Sequence, residues 1–524
     1  KKRSEVQDLK TNSVKGFSTR LASNDHLLKQ RIINTIWTPA DEDDLIQAAM
    51  IAGSFARSSG LAGVGDIDCI LIIDPLNRET FHRIYDTLYK TLLPILNSYG
   101  YKFLINATLG PIKFNENNTA VLHLMPYSPR AHIDHCINSP FTVFDWQLSP
   151  LYRKRHLSEI YPVFGLQPRH FFNARRSSKE YLNDFQSKSI SYRDFEWMDD
   201  SYREIRMSKP MTERDHFEFA YHIYRFLMLN YIKFTTQTNK FLTDDEITNA
   251  YFSLCPENAD LHEILFKKLG SMKQGFDVCD LDETINDRVV EFVINFEKRF
   301  LKDFVETSNV LIAFRHAPTV MNTASADDPR FSGRTDVPLI DSNSAASDVL
   351  INAVRTLRSP KTYCSPLTRC KQSFEILARA IRIQEPIIDA RLIEMDYGEC
   401  EGLSVSDARA QCPKLFRSWD KGDDPRFPGG ENSEDVRRRA LSWLRETPFP
   451  ERTDAVVCAH NVVIREWLGE ALSVPPRLRH RIRIPHMTPF RFIISKRYGI
   501  RVDLDESIER YIFSGFVSNK KNIE

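Results

Sequence analysis

Long apolar runs are missing: no stretch of the 524 residues approaches the about 20 needed to span a bilayer. The opening Lys1-Lys2-Arg3-Ser4 is polar and no hydrophobic signal segment follows it. A surplus of either charge is missing too. Lys+Arg 71 against Asp+Glu 70 leaves a net charge of +1, so no global field draws the chain to nucleic acid or to an anionic membrane. The nine cysteines form no C-x-x-C pair and no Cys/His cluster at zinc spacing. Reduced thiols in a cytoplasmic protein are the expectation. No internal repeat, low-complexity tract or Gly/Ser- or Pro-rich linker breaks the chain, which favours a fixed arrangement of its parts over free tethering. Hydrophobic content of 42% is ample for cores, and the length predicts about three domains.

What is present is chemistry at the ends of short apolar runs. Val310-Leu311-Ile312-Ala313-Phe314 reads as a buried strand and ends in Arg315-His316-Ala317-Pro318, an imidazole beside a fixed cation. Ser332-Gly333-Arg334-Thr335-Asp336 follows, then Ser365-Pro366-Leu367-Thr368-Arg369-Cys370, then Glu394 ahead of Gly398 and Glu401-Gly402. Ala459-His460-Asn461 closes the set after a second run, Ala455-Val456-Val457-Cys458. A lone histidine after a strand is usually a hydrogen-bonded loop or core residue, and a lone arginine is usually solvated. Several functional types in this order within one segment point instead to a site.

In this order, over roughly residues 308–500, the elements closely resemble the histidine phosphatase superfamily, which includes the phosphoglycerate mutases. The resemblance implies a C-terminal α/β, phosphoglycerate mutase-like three-layer domain over 306–524. It implies that His316 attacks phosphorus, and that Arg315, Arg369 and His460 surround the phosphoryl oxygens. Arginine suits that position because its planar fork meets phosphate in a bidentate way. Glu394 would be the general acid for the leaving alkoxide, a role that expects a raised pKa. Asn322 and Arg334 match positions that contact phosphate or the substrate body, and Asn461 lies beside the second histidine. No metal is expected in this half, and a phosphorylated small molecule is the expected substrate. Ala317 stands where glycine is commoner and Asn461 where glycine or serine is frequent. Neither change removes a reacting group. Hydrolysis is favoured over mutase action, a choice the sequence leaves open.

A second constellation lies near the start. Gly53-Ser54-Phe55-Ala56-Arg57 precedes Gly63-Val64-Gly65-Asp66-Ile67-Asp68, which runs into Cys69-Ile70-Leu71-Ile72-Ile73. Alternation along a strand turns Asp66 and Asp68 to one face. Two adjacent carboxylates repel unless a divalent cation lies between them, and Mg²⁺ with nucleotide phosphates fits. The Gly53-Ser54 turn could cradle terminal phosphates, with Arg57 close by. An Asp-x-Asp alone is common in solvated turns; the preceding Gly-Ser loop makes this one specific. The pattern resembles the polymerase-β-like nucleotidyltransferases over about residues 40–150. That resemblance implies an α+β nucleotidyltransferase domain over 1–150, a nucleoside triphosphate as donor, and a third carboxylate on a neighbouring strand. The candidate strand Ala120–Pro126 offers His123 at the inward position, with Asp134 and Asp145 as the other possibilities.

Residues 151–305 read as a helical domain associated with the nucleotidyltransferase. Asp215–Phe234 is apolar around most of its circumference, and Leu281–Val305 carries a stripe of Ile285, Val289, Phe292, Val293, Phe296, Phe300 and Phe304. Arg153-Lys154-Arg155-His156 and Arg175-Arg176 are basic clusters, and Arg477, Arg479, Arg481 and Arg483 are spaced to line one face of a strand. Solvated faces or interdomain ion pairs are the plainer reading of each. The resulting expectation is a bifunctional enzyme: Mg²⁺-dependent nucleotidyl transfer to a small-molecule acceptor, and phosphomonoester hydrolysis through a phosphohistidine. Two rival readings are an RNA end-processing enzyme, against which the balanced charge argues, and a phosphatase carrying a non-catalytic nucleotide-binding half. Oligomeric state is not legible.

Overall fold

The computed structural model describes residues 25–58, 66–106, 118–238, 240, 242–257, 259–273, 283–323, 329–447 and 453–517. Gly63, Gly65 and Cys279 lie outside the described residues.

Two mixed sheets organise the chain. The first has the order β3-β4-β2-β1-β5, with β1 Ile46–Ala52, β2 Ile67–Ile73, β3 Lys102–Asn106, β4 Thr119–Tyr127 and β5 Tyr152–Lys154. Strands β3, β4 and β2 run parallel; β1 and β5 are antiparallel to their neighbours. The central strands are near-continuous apolar runs because both sheet faces are covered. A helix over 25–42 and the helix Arg78–Ser98, begun by an Asn77–Thr80 capping box, pack on one face. The other face, through Met50, Ile70, Ile72, Met125 and Tyr127, joins a larger core.

The segment 151–305 is not wholly helical. β5 belongs to the first sheet, and β6 Ser189–Met198 pairs with β7 Ser201–Pro210 in a long antiparallel hairpin. Aromatic pairs hold the hairpin to the first unit, with Trp197 and Tyr202 against Phe81. The helices follow: Glu213–Thr236, Asp244–Leu254, Ala259–Lys273 and Glu283–Leu301, the last ending in a wide turn Lys302–Glu306. The expected stripe is buried, and Phe296, Phe300 and Phe304 pack against Tyr231 and Phe234.

The second sheet has the order β10-β9-β11-β8-β12-β13, with β8 Asn309–Arg315, β9 Lys361–Cys364, β10 Ile387–Ile388, β11 Ala455–Ala459, β12 Phe490–Ser495 and β13 Gly499–Asp503. β10, β9, β11 and β8 are parallel. Helices Asp348–Arg355 and Thr368–Ala380 cover one face, while Ser433–Glu446 and Asn461–Ala471 cover the other. This C-terminal part is therefore a three-layer α/β unit. Arg477–Arg483 do not form the expected strand. Pro476–Arg481 is a 3₁₀ turn, in which Pro475 and Pro476 preclude a ladder, and Arg479 turns inward to Glu466 at 2.8 Å.

The halves share one core. A single apolar cluster runs from Ala48 through Phe234 and Phe300 to Phe516. Arg501, 3% exposed, donates to the carbonyls of Phe234 and Thr235 at 2.9 and 2.8 Å. The Gln237 amide donates to the carbonyls of Glu470 and Ala471, capping the end of Asn461–Ala471. Gly165 lies so close to Leu472 that a Cβ would fall 2.9 Å from its carbonyl oxygen. The eight described cysteines are free thiols. No described helix is long and apolar enough to cross a membrane.

Candidate active sites

Three adjacent parallel strands of the second sheet end at one level, where Ala459 pairs with Arg315 and Cys458 with Cys364. The residues that follow β8, β9 and β11, namely His316, Ser365 and His460, therefore meet above the carboxyl ends of the strands, where open α/β sheets place ligands. His316 is buried, and its Nδ1 lies 2.8 Å from the Ala317 carbonyl. A carbonyl only accepts, so Nδ1 carries the proton and Nε2 keeps its lone pair. Burial, then Arg315 and Arg369, holds this imidazole well below its ordinary pKa, so it is neutral and nucleophilic.

Arg369, 1% exposed, is fixed by donation to the carbonyls of Thr335 and Gly333 at 2.8 and 2.6 Å. Its Nε faces His460 Nδ1 at 3.3 Å, which leaves the His460 proton on Nε2, 2.7 Å from Ser365 Oγ. Burial, then Arg369 and His316, keeps His460 neutral as well. The two imidazole centres are 5.2 Å apart. Arg315 donates to the Ile484 carbonyl at 2.8 Å, and its enclosed Nε has no hydrogen-bond partner. Glu394 is held by the backbone N–H groups of Met395 at 2.9 Å and Val462 at 3.2 Å.

Other expected contacts are placed differently. Asn322 turns its Oδ1 to Thr319, accepting from the backbone N–H and hydroxyl at 3.1 and 2.9 Å. Only its amide side faces other work. Arg334 reaches Asp396 and Glu431, each at 3.2 Å, while Glu401 holds the backbone of Arg334 and Thr335. Asn461 is the first residue of the helix that His460 caps. Sequence reasoning missed His486, whose Nδ1 donates to the His316 carbonyl at 2.6 Å and whose ring lies 5.3 Å from that of His316. Burial, then Arg315, pulls its pKa down to about 4. Ser365 was visible in its motif, but its bond to His460 was not.

The family model of the histidine phosphatase superfamily (branch 1) matches residues 311–503. The C-terminal part of the chain is a histidine phosphatase domain. It is an enzyme domain of the phosphatase and phosphoglycerate mutase type. The chain is 29% identical over 189 residues to 2,3-bisphosphoglycerate-dependent phosphoglycerate mutase 2 of Gloeobacter violaceus, covering 35% of this chain and 84% of that protein. It is 28% identical over 166 residues to phosphoserine phosphatase 1 of Hydrogenobacter thermophilus, covering 31% and 76%. Among solved structures, the alpha-ribazole phosphatase of Shigella flexneri matches at 16% identity and a TM-score of 0.32, covering 40% of this chain and 99% of that one.

Outside the histidine phosphatase domain, the first sheet builds a second cluster. Gly53 takes a φ of +71°, and a Cβ there would lie 2.2 Å from Asp68 Oδ2. Only glycine lets that carboxylate lie against the turn. Burial, then the charge of Asp66, raises the Asp68 pKa to about 7. His123 is aligned with Asp68 on β4 and with Asn106 on β3. Its Nε2 lies 2.9 Å from Asp66 and its Nδ1 3.3 Å from the Asn106 amide. The inward position on β4 thus holds an imidazole. Asp134 is bonded to Arg510 at 2.8 Å, whereas Asp145, bonded to Lys233, lines a cavity of ≈ 160 Å³ together with Gly53, Arg57, Arg225 and Lys240. Ser54 is exposed at the start of the short helix Gly53–Arg57. Among the described residues no three or more His, Cys, Asp or Glu side chains form a metal-binding group. Two carboxylates with phosphates completing the shell still fit Mg²⁺.

Proposed function

We propose that this chain is a bifunctional enzyme that hydrolyses a phosphomonoester at the C-terminal site and transfers a nucleoside monophosphate at the N-terminal one. The observation that carries the first part is the His316 Nδ1 contact with the Ala317 carbonyl, which leaves the Nε2 lone pair free on a ring 5.2 Å from that of His460 and under the charges of Arg315 and Arg369. In-line attack by Nε2 forms the N–P bond as the ester P–O bond breaks, with the arginines neutralising the equatorial oxygens. Glu394 delivers the proton to the leaving alkoxide and then takes one from the water that cleaves the phosphohistidine. Asn461, next to His460, and the Asn322 amide would contact the phosphoryl group. Arg334, already engaged by Asp396 and Glu431, would act at the substrate body through that network.

The N-terminal reading is supported by Gly53 against Asp68 at the rim of a cavity lined by Arg57, Arg225, Lys233 and Lys240, a basic environment suited to a triphosphate. Asp66 and Asp68 would hold Mg²⁺, which supplies charge neutralisation when bound. His123 or Asp145 would take the acceptor proton. One observation favours a second reading, in which this half binds nucleotide without catalysis. Asp66 is engaged by His123 where a third carboxylate is expected.

The test uses wild type, His316→Ala and the double variant Asp66→Ala/Asp68→Ala, each with the four nucleoside triphosphates, Mg²⁺ and a panel of phosphorylated metabolites. Pyrophosphate lost only in the aspartate variant and phosphate lost only in the histidine variant would establish two sites. Phosphate without pyrophosphate under any condition would favour the non-catalytic reading of the N-terminal half.

A further inference from the structure

Of the eight described cysteines, Cys412 alone is not buried. It stands between the helices Val405–Gln411 and Pro413–Asp420, closing the one and opening the next. Its Sγ lies 4.0 Å from that of Cys400, a fully buried residue at the end of the 3₁₀ turn Gly398–Cys400. The two thiols are thus in contact although they stand 12 positions apart in the chain. A disulfide holds its sulfurs about 2 Å apart, so joining them asks each to move by about 1 Å.

The residue after Cys400 connects this pair to the phosphatase pocket. The Glu401 carboxylate accepts from the backbone N–H groups of Arg334 at 2.9 Å and Thr335 at 3.1 Å, and from the Thr335 hydroxyl at 2.6 Å. The fit is close: a Cβ on Gly333 would lie 1.8 Å from Glu401 Oε1. The carbonyls of that same segment, Gly333 and Thr335, are the acceptors that fix Arg369. Movement at Cys400 therefore reaches a pocket arginine through Glu401 and the backbone that Glu401 braces. Movement at Cys412 arrives there too. The helix it opens packs Phe416 against Phe331, and the Phe331 carbonyl accepts from the N–H of Gly402, next to Glu401, at 2.7 Å.

We propose that Cys400 and Cys412 are a reversible redox pair that turns the phosphatase site down when peroxide oxidises them. The proposal rests on the phosphatase reading and adds a regulation to it. Hydrogen peroxide meets the accessible thiol first. The Cys412 sulfur attacks one peroxide oxygen, the O–O bond breaks, and a sulfenic acid and water result. The Cys400 sulfur then attacks Cys412 Sγ, the S–O bond breaks, and hydroxide leaves with the Cys400 proton as a second water. The electron pair lost by the thiols reduces the peroxide, and a dithiol reverses the bond by exchange. In the oxidised chain Glu401 is drawn off, and the Gly333 and Thr335 carbonyls no longer hold Arg369 in place.

The test uses the full chain as wild type, Cys412→Ser and Cys412→Ala, each reduced and then treated with hydrogen peroxide, with p-nitrophenyl phosphate as the probe. Wild type should lose phosphate release by about tenfold or more, as a displacement of about 1 Å in a pocket group implies, and dithiothreitol should restore it. Digestion of the oxidised protein should give cross-linked peptides that carry Cys400 and Cys412. Both variants should keep their activity through the same treatment. Equal loss in the variants would move the sensitive thiol elsewhere and overturn the proposal. Absence of the cross-link, or a cross-linked chain at full activity, would overturn it as well. The melting temperature of oxidised wild type should not fall, because the bond restrains the unfolded chain. A fall alongside the lost activity would mark oxidative damage and count against the pair. Should neither the probe nor a panel of phosphorylated metabolites turn over in the reduced chain, the phosphatase reading fails on its own, and binding decides the rest. Inorganic phosphate protecting reduced wild type and oxidised Cys412→Ser against heat, but oxidised wild type less, upholds the redox pair; equal protection of all three refutes it.

Discussion

Replacing Gly53 by alanine should injure the N-terminal half and spare the other. The added Cβ would lie 2.2 Å from Asp68 Oδ2 and 3.2 Å from its Cγ, so the carboxylate must retreat by about 1 Å to regain ordinary contact. At φ +71° a non-glycine residue also costs about 1–2 kcal/mol. Overpacking of this kind adds about 1–3 kcal/mol, giving a destabilisation of roughly 2–5 kcal/mol. A displacement of about 1 Å in a reacting group reduces turnover about a hundredfold, and that is the expected loss in pyrophosphate release. Phosphate release through His316 should stay within about twofold of wild type. Urea unfolding and the two product assays measure all three quantities. A variant within about 0.5 kcal/mol of wild type that still releases pyrophosphate at full rate would show that Asp68 does not depend on the glycine.

Three further outcomes are expected. Ser365→Ala leaves the His460 Nε2 proton without its acceptor, which should cost about 1–3 kcal/mol and lower phosphate release; unchanged stability would mean that His460 finds another partner. His486, held at about 4 when folded, protonates near 6.5 when unfolded, so the unfolded state binds more protons below 6.5 and stability falls from there toward pH 4. Wild type should lose roughly 1–2 kcal/mol more than His486→Asn between pH 7 and 5, allowing for solvent at a partly exposed ring, and parallel pH curves would contradict this. Arg501→Met strips donors from the Phe234 and Thr235 carbonyls and should cost about 2–4 kcal/mol. Calorimetry should still record one transition for both halves, and two separate transitions in wild type would refute a shared core.

The meeting of His316 and His460 was legible because both stand at the ends of apolar strands. A buried run followed by Arg315-His316 or by His460 fixes both the element and the position of the side chain. The place of Asp68 on its strand was legible for the same reason, and so was His123 as the inward residue of β4. What escaped depends on partners distant in the chain. His486 follows an unremarkable Ile484-Pro485 and gains meaning only where its backbone pairs with Arg315. Arg479 read as one of an alternating series, yet it is drawn inward by Glu466 from another helix. The β6–β7 hairpin was hidden because charged residues occupy positions on both faces of Ser189–Pro210, which blurs the two-residue period. Its turn is the pair Asp199-Asp200, with Asp199 at φ +56°, a left-handed residue that aspartate tolerates.

The amide of Gln237 has a consequence for how such a chain can change over generations. It joins the end of the helix that follows His460 to a residue a few positions before Lys240 and Leu242, which line the cavity beside Gly53. Where two units of a chain meet only through a linker, either can be exchanged without disturbing the other. Here the junction has become interior, sealed by Arg501, Gly165 and Gln237, and a replacement half would have to reproduce all three contacts at once. The two ends of the molecule are thus tied through side chains and backbone that neither could place alone.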